Sequence, residues 1–222
     1  MVERIIVGPL HTNAYVFSFG KKDCIIIDPG ADPEKILREL GVLNMIPRGI
    51  VLTHGHLDHT SAVAKIALHY ASLGEPVPIA IHEADAEFLG PGSEERNRAQ
   101  FISIDPDSDL FRELFTPLPA ADVLLNEGDM VFGTDLRVIH TPGHTPGSIC
   151  LYSESQAIIF TGDTLFFKGI GRSDLPGGDG RLLLKNVAEK LFTLPPETRI
   201  FPGHGPNTIL EREKNHNPYM TI

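Results

Sequence analysis

Gly49-Ile50-Val51-Leu52-Thr53-His54-Gly55-His56-Leu57-Asp58-His59 is the stretch on which the reading turns. A short apolar run delivers the chain to a hexapeptide, His54 to His59, in which four of six side chains can bind a metal. Their spacing is not helical. In an extended or turning segment alternate residues point the same way, so His54 and His56 can converge on one ion. Asp58 and His59 fall slightly further on, placed to reach a second ion beside the first. A polar loop that merely follows a strand leaves this concentration of imidazole and carboxylate unexplained.

Three more candidate ligands stand at turns further along: His144 in Thr141-Pro142-Gly143-His144-Thr145-Pro146-Gly147, Asp163 in Phe160-Thr161-Gly162-Asp163-Thr164, and His204 in Pro202-Gly203-His204-Gly205. Small residues flank each and let the backbone turn sharply toward an ion. Alone, each is an ordinary loop residue. Together with the hexapeptide they give seven nitrogen and oxygen donors, enough for two adjacent divalent ions with positions open to water. Imidazole and carboxylate suit Zn²⁺, the first expectation, as well as Fe²⁺ or Mn²⁺, and the lack of Cys ligands argues against a purely structural zinc. Two such ions roughly 3.5–4 Å apart can hold a hydroxide and polarise a substrate oxygen, because the pKa of bound water falls from roughly 15.7 to about 7. Asp58 can also orient that hydroxide or handle its proton. No Ser or Cys nucleophile is needed, and Gly147-Ser148 lacks the context of a nucleophile elbow.

The remainder of the chain bounds the partners. Its 222 residues suit one domain, 1–222, built of two related halves at about 1–121 and 122–222. With 19 Lys and Arg against 29 Asp and Glu the net charge is −10, and no basic run interrupts it. Such a chain repels phosphate backbones, which excludes a nucleic-acid partner from the expectations. The two cysteines, Cys24 and Cys150, each lie in an apolar, strand-like run, and read as buried free thiols in a reducing compartment. The first residues lack the apolar core of a signal peptide, and no stretch has the length to span a bilayer. A cytoplasmic enzyme acting on a small molecule is the expectation, with oligomeric state left open.

Periodicity places strands at Val2–Val7, Ala14–Phe19, Cys24–Ile27, Gly49–Leu52, Pro78–Ile81, Asp135–Ile139, Ser148–Tyr152, Ala157–Phe160 and Arg199–Phe201. Asp32-Pro33 opens a helix, with Asp32 as N-cap and Pro33 in the first turn, and Gly41 closes it. Further helices are expected over Thr60–Leu73, Asp107–Phe115 and Leu182–Leu191. From Gly90 to Ala121 the pattern deteriorates and reads as a surface excursion, a candidate lid. Each half runs from strands through a helix to a further strand, and each carries a His-rich turn after a strand. Two β-layers face to face, with helices outside and the metal site at one edge, satisfy that arrangement.

The hexapeptide followed in order by His144, Asp163 and His204 resembles the five-part signature of the metallo-β-lactamase superfamily. The resemblance covers nearly the whole chain and implies an α+β fold, the four-layer αββα sandwich. It implies that His54, His56 and His144 bind one ion, that Asp58, His59 and His204 bind a second, and that Asp163 bridges them. Further strings, Gly8-Pro9-Leu10-His11-Thr12-Asn13-Ala14-Tyr15, Gly162-Asp163-Thr164-Leu165-Phe166, Gly171-Arg172-Ser173-Asp174 and Lys214-Asn215-His216-Asn217-Pro218, resemble glyoxalase II-like hydrolases. That branch cleaves hydroxyacyl-glutathione thioesters to a hydroxy acid and a thiol, and the oxyanion of such a reaction would form against a metal. Longer glyoxalase II proteins carry a helical C-terminal extension that supplies much of the glutathione site. Here only Gly205 to Ile222 follow His204, so the chain resembles the short, single-domain bacterial form. Metal-dependent hydrolysis is therefore the firmer expectation and glutathione recognition the weaker. Arg172 and Lys168, each beside a Gly-rich loop, are candidate anchors for a substrate carboxylate or else solvated charges.

Rival readings use the same sandwich. Persulfide dioxygenases share a comparable Gly-Arg-Ser/Thr-Asp segment and hold one Fe²⁺ in a two-His, one-carboxylate site, which here would be His54, His144 and Asp163. Lactonases share the dinuclear site and need only a cyclic ester. A non-enzymatic scaffold would have little use for an intact, open donor set.

Overall fold

Strands whose successive residues face two different apolar environments account for the architecture. In the computed structural model, which describes residues 1–104 and 109–220, β1 (Val2–Val7), β2 (Thr12–Phe19), β3 (Asp23–Ile27), β4 (Ile46–Val51), β5 (Ile79–His82) and β6 (Val123–Leu125) form one sheet in that spatial order. The second half supplies β7 (Leu136–His140), β8 (Ile149–Ser153), β9 (Ile158–Gly162), a small hairpin of β10 (Leu165–Phe166) and β11 (Gly169–Ile170), then β12 (Arg199–Pro202) and β13 (Thr208–Ile209). Its sheet is ordered β13-β12-β9-β8-β7. Helices α1 (Pro33–Leu43), α2 (Leu57–Thr60), α3 (Val63–Ser72), α4 (Ser93–Ile104) and α5 (Leu110–Leu114) belong to the first half, with a 3-10 turn at Glu83–Phe88. Helix α6 (Gly180–Asn186), which runs on as a π-helical turn over Val187–Leu191, and α7 (Leu210–His216) belong to the second.

The period of two sorts the side chains into layers. Ala14, Val16, Cys24 and Ile26 pack with Ile36 and Leu40 of α1 and Val63 and Ile66 of α3. Their alternates Tyr15, Phe17, Ile25 and Ile27 face Val138, Leu151, Ile158 and Phe160 of the other sheet. Cys150, Tyr152 and Ile159 point outward again, onto Leu183, Val187, Leu191 and Leu210. Three apolar layers between four structural ones make the αββα sandwich. Burying each large side chain contributes about 1.5–3 kcal/mol. Phe160 sits where rings of both sheets meet, with centroids 5.1 Å from Tyr15, 5.9 Å from Phe17 and 5.4 Å from Phe201. Both cysteines are free and fully buried, and burial pushes the Cys24 thiol up to about 12 and the Cys150 thiol up to about 11.

Strand direction gathers the motifs. β7 and β9 are both antiparallel to β8, and β12 is parallel to β9, so the turns carrying His144, Asp163 and His204 all leave one edge of the second sheet. β4 lies parallel to β3 and β5, and the Thr53 carbonyl just beyond it accepts from the Ile149 N–H at 2.8 Å. That bond brings the end of β4, and the hexapeptide, to the same edge.

Several local expectations change. The helix expected over Thr60–Leu73 is two pieces, α2 and α3, because the hexapeptide itself turns helical at Leu57. Asp32 does not cap α1 through its side chain; its carboxylate accepts instead from the Gly8 N–H at 3.0 Å. Helix α1 passes Gly41 and ends at Asn44, which takes the left-handed conformation. The segment read as an irregular excursion holds α4 and α5; Glu94 and Glu95 favour the first turn of α4, and Arg98 pairs with Glu94 at 2.7 Å. Of the helix expected over 107–115, Leu110–Leu114 is present, while residues 107 and 108 lie outside the described ones. The first sheet runs past the expected division near 121, since Val123–Leu125 pairs with β5. Among the described residues no helix is long and apolar enough to cross a membrane.

Candidate metal centre

The hexapeptide turns directly off β4, and its imidazoles are buried: His54 is 1%, His56 7% and His59 0% exposed. His144 reaches them from the β7–β8 turn at 2%. Donor atoms of His54, His56 and His144 lie within 4.8 Å of one another, and so do those of Asp58, His59 and His204. Inside the first set the Nε2 atoms of His54 and His144 stand 3.2 Å apart; inside the second those of His59 and His204 stand 3.3 Å apart. Two nitrogens at about 2.0–2.1 Å from one tetrahedral ion lie at about this separation. Asp163 faces both sets, with Oδ2 3.6 Å from His144 Nε2 and Oδ1 3.4 Å from His59 Nε2. Its Oδ1 and the Nε2 of His56 are buried without a hydrogen-bond partner. Orphaned donors facing a mixed imidazole and carboxylate set fit divalent cations well.

Other groups orient four of the five rings. Thr53 Oγ1 lies 3.0 Å from His54 Nδ1, the Arg172 carbonyl lies 2.6 Å from His144 Nδ1, and the Leu10 carbonyl lies 3.2 Å from His204 Nδ1. His59 Nδ1 meets the Asp28 carboxylate at 3.0 Å. These contacts leave the Nε2 atoms to face one another. Asp28 groups geometrically with His54 and His59 as well. Its carboxylate, however, already accepts from the Thr53 N–H at 2.7 Å and the Thr53 hydroxyl at 2.6 Å, so it serves as a brace rather than a donor.

The string Gly8 to Tyr15 has a structural purpose. Thr12 donates its hydroxyl to Asp58 Oδ2 at 3.1 Å, Asn13 Nδ2 holds the carbonyls of Pro202 and Gly205 at 2.9 Å each, and the Tyr15 hydroxyl donates to Pro202 O at 2.7 Å. Thus β2 of one sheet staples the His204 turn of the other. Close approach explains two glycines: a Cβ on Gly203 would stand 2.3 Å from Asp163 Oδ1, and one on Gly171 would stand 1.8 Å from the Asp163 carbonyl.

The two sets differ electrostatically. Burial, reinforced by neighbouring rings, holds His54 and His56 well below the ordinary imidazole range, so both are neutral, the form that binds metal. In the second set burial pushes His59 and His204 down, but the Asp58 and Asp163 carboxylates outweigh it and raise both. Burial likewise pushes the carboxyls up; His59 foremost outweighs it, holding Asp58 below the usual range and Asp163 down to about 2.

A cleft of about 390 Å³ opens onto this centre. Asp58, His144, Asp163 and His204 line it together with Phe101 of α4, Leu110 of α5 and Leu175. Helices α4 and α5 therefore form one wall. Arg172 lines the cleft, though its guanidinium is clamped on Asp174 at 2.8 and 2.9 Å. Lys168 is not among the lining residues; its amine sits 5.5 Å from the Phe167 ring centroid. The seven expected donors are brought together, one of the two expected anchors reaches the cleft, and Asp28, Thr12 and Thr53 are contributors that sequence reasoning passed over. Asp28 carried one signal, an acid ending the buried run Cys24-Ile25-Ile26-Ile27.

Comparison with known proteins agrees with this geometry. The metallo-beta-lactamase superfamily profile matches residues 7–204. A probable metallo-hydrolase, YqgX of Bacillus subtilis, is 33% identical over 98% of this chain and 96% of its own length. The hydroxyacylglutathione hydrolase GloC of Haemophilus influenzae is 31% identical over 99% and 97%. Among solved structures, the BLEG-1 B3 metallo-beta-lactamase superposes with a TM-score of 0.86 at 36% identity over the full length of both chains. A di-iron-bound form of TTHA1623 superposes at 0.81, again 36% identical, over 98% of this chain and 99% of that one. Fold, ordered donors and similarity across the whole length converge: the chain belongs to the metallo-β-lactamase superfamily.

Proposed function

We propose that the protein is a dinuclear metallo-hydrolase of hydroxyacyl-glutathione-type thioesters. His54, His56 and His144 would hold one divalent ion and Asp58, His59 and His204 the other, with Asp163 between them. Zn²⁺ is the first expectation, and the di-iron form of a similar structure keeps Fe²⁺ in the test. The observation that carries the reading is the reach of Asp163, whose Oδ1 lies 3.4 Å from His59 while its Oδ2 lies 3.6 Å from both His144 and His204, so that one carboxylate meets both donor sets.

When bound, such ions supply an ionised water at neutral pH and polarise a carbonyl. The chain's own residues do the rest. His54 and His56 present neutral nitrogens, so a cation displaces no proton from them. Asp58, braced by Thr12 and 3.2 Å from His204 Nε2, is placed to accept the proton of an attacking water and to pass it toward the leaving thiolate. Leu10, Leu57, Phe101, Leu110 and Leu175 give the cleft an apolar wall for a short acyl chain and exclude bulk water. Arg172 offers a cation at the rim for a carboxylate of the thiol carrier. Similarity to GloC along nearly the whole of both chains supports the thioester, and the likeness to the BLEG-1 B3 metallo-beta-lactamase keeps a β-lactam in the test.

A single-iron dioxygenase would use His54, His144 and Asp163 alone. Asp58, His59 and His204, gathered within 4.8 Å, favour the hydrolase. The test is purified, metal-analysed protein assayed against S-lactoylglutathione, a lactone, a chromogenic cephalosporin and a persulfide with oxygen monitoring. Thioester cleavage ahead of the other substrates is expected; one iron per chain with oxygen consumption would overturn the reading.

A further inference from the structure

Asp85 lies in the 3-10 turn after β5, is 0% exposed, and belongs to none of the donor groups. Its carboxylate bonds two ligand-bearing loops at once. Oδ2 accepts from the Gly55 N–H at 2.9 Å, between His54 and His56, and from the Thr145 hydroxyl at 2.7 Å, beside His144. Oδ1 accepts from the Gly147 N–H at 2.6 Å. The fit is close: a Cβ on Gly147 would stand 2.6 Å from Asp85 Cβ. From the same turn, Phe88 fills the space against Gly55, where a Cβ would stand 2.2 Å from its ring, and its centroid lies 6.1 Å from that of His56.

A buried carboxylate whose bonds are all to neutral donors is a costly way to join two loops. Apolar packing in the same space would avoid its desolvation penalty. The second donor set has its own braces, Asp28 on His59 and Thr12 on Asp58. Asp85 touches neither of those. All its bonds fall on the loops of His54, His56 and His144.

The geometry points to Asp85 as the positioning residue of the first donor set, a fixed anion that sets the spacing between the His54–His56 pair and His144 and adds its charge to the attraction for the first ion. This rests on the dinuclear reading above. The backbone tie itself does not, so the two can fail separately.

The experiment uses the full chain as wild type, Asp85→Asn and Asp85→Ala. Amide hydrogen exchange on metal-free protein reads the tie: the Gly55 and Gly147 amides are slow in wild type and accelerate together in Asp85→Ala, with β2 amides as the internal reference. Stepwise Co²⁺ titration, followed by absorption and by metal content, reads the function: wild type takes two ions per chain, while Asp85→Ala loses affinity at the first set about 10–100-fold and keeps the second. Asp85→Asn keeps an oxygen for Gly55 and Thr145 but turns an N–H toward Gly147, so it falls between and covers the case in which the alanine variant does not fold. Unchanged exchange, or equal loss at both sets, overturns the assignment. Wild-type protein that takes no metal would sink the dinuclear reading while the exchange result still judges Asp85.

Discussion

The two donor sets at the sandwich edge solve the same problem in opposite ways. The first, His54, His56 and His144, is all imidazole and nearly sealed, at 7% exposure or less. The second adds a carboxylate and is the more open to the cleft that His56 and His144 also line, with 28% of the His204 side chain exposed and 15% of Asp58. Burial keeps His54 and His56 neutral and ready for a cation. In the second set the Asp58 and Asp163 carboxylates raise both His59 and His204 and so favour their charged forms before any ion arrives. One half of the centre is preformed for binding; the other must exchange protons for metal and is open to substrate.

Asp163 spans both halves, so its loss has the largest expected effect. Asp163→Ala should lower kcat about 100–1,000-fold, in line with the loss of charge stabilisation at a catalytic centre, and leave the protein folded; His56→Ala should do the same. Metal-analysed Asp163→Ala protein with near-wild-type turnover would remove the bridging assignment. Next comes Asp28→Asn, which removes the charge behind His59 Nδ1 and reaches His54 only through Thr53; it should weaken the second ion about 10–100-fold and the first less, measured by metal titration. Equal weakening of both ions would erase the distinction between the sets.

The pH dependence of the metal-free protein separates them further. His59 and His204 are raised in the folded state, so their stabilisation is full below the ordinary value of 6.5 and is lost as pH rises through the folded values. Melting temperature of metal-free protein should therefore fall as pH climbs above neutrality, and His59→Gln should flatten that fall. Metal uptake at the second set should release protons and strengthen with pH, whereas uptake by His54 and His56 should release none. Calorimetry in buffers of different ionisation enthalpy counts those protons, and equal release at both steps contradicts the contrast. The smallest effect is expected from Arg172→Ala: its backbone carbonyl holds His144 and survives the substitution, so only KM for a carboxylate-bearing thioester should rise, by less than about 10-fold. A collapse of kcat would move Arg172 into the reacting centre.

Nine of the thirteen described strands and the seven donors could be read from the chain because each has a local signature, whereas β6, β10, β11 and β13, two or three residues long, carry none. Cys24-Ile25-Ile26-Ile27 is apolar at every position, as a strand buried on both faces must be, and a cluster such as His54 to His59 is rare for any other reason. Helix α7 could not be read: of its residues Leu210 and Glu213 are buried, and Glu213 earns its place through bonds to Thr208 and Asn217 that only the fold creates. Helix α4 has few apolar residues, and the cleft wall it builds depends on Phe101 meeting Phe111 across the segment. Asp28 and Asp85 were hidden for a different reason. An acid after a strand or in Glu83-Ala84-Asp85 has the composition of any polar turn, and its bonds exist only once β3 and β4 have paired, for Asp28, or both sheets are assembled, for Asp85.

The most direct test of the central claim is a crystal structure of metal-loaded protein with anomalous scattering collected at the edge of the bound metal. The account predicts two peaks about 3.5–4 Å apart, one among His54, His56 and His144, the other among Asp58, His59 and His204, with Asp163 between them. A single peak held by His54, His144 and Asp163, with Asp58 and His204 unligated at full occupancy, would contradict it.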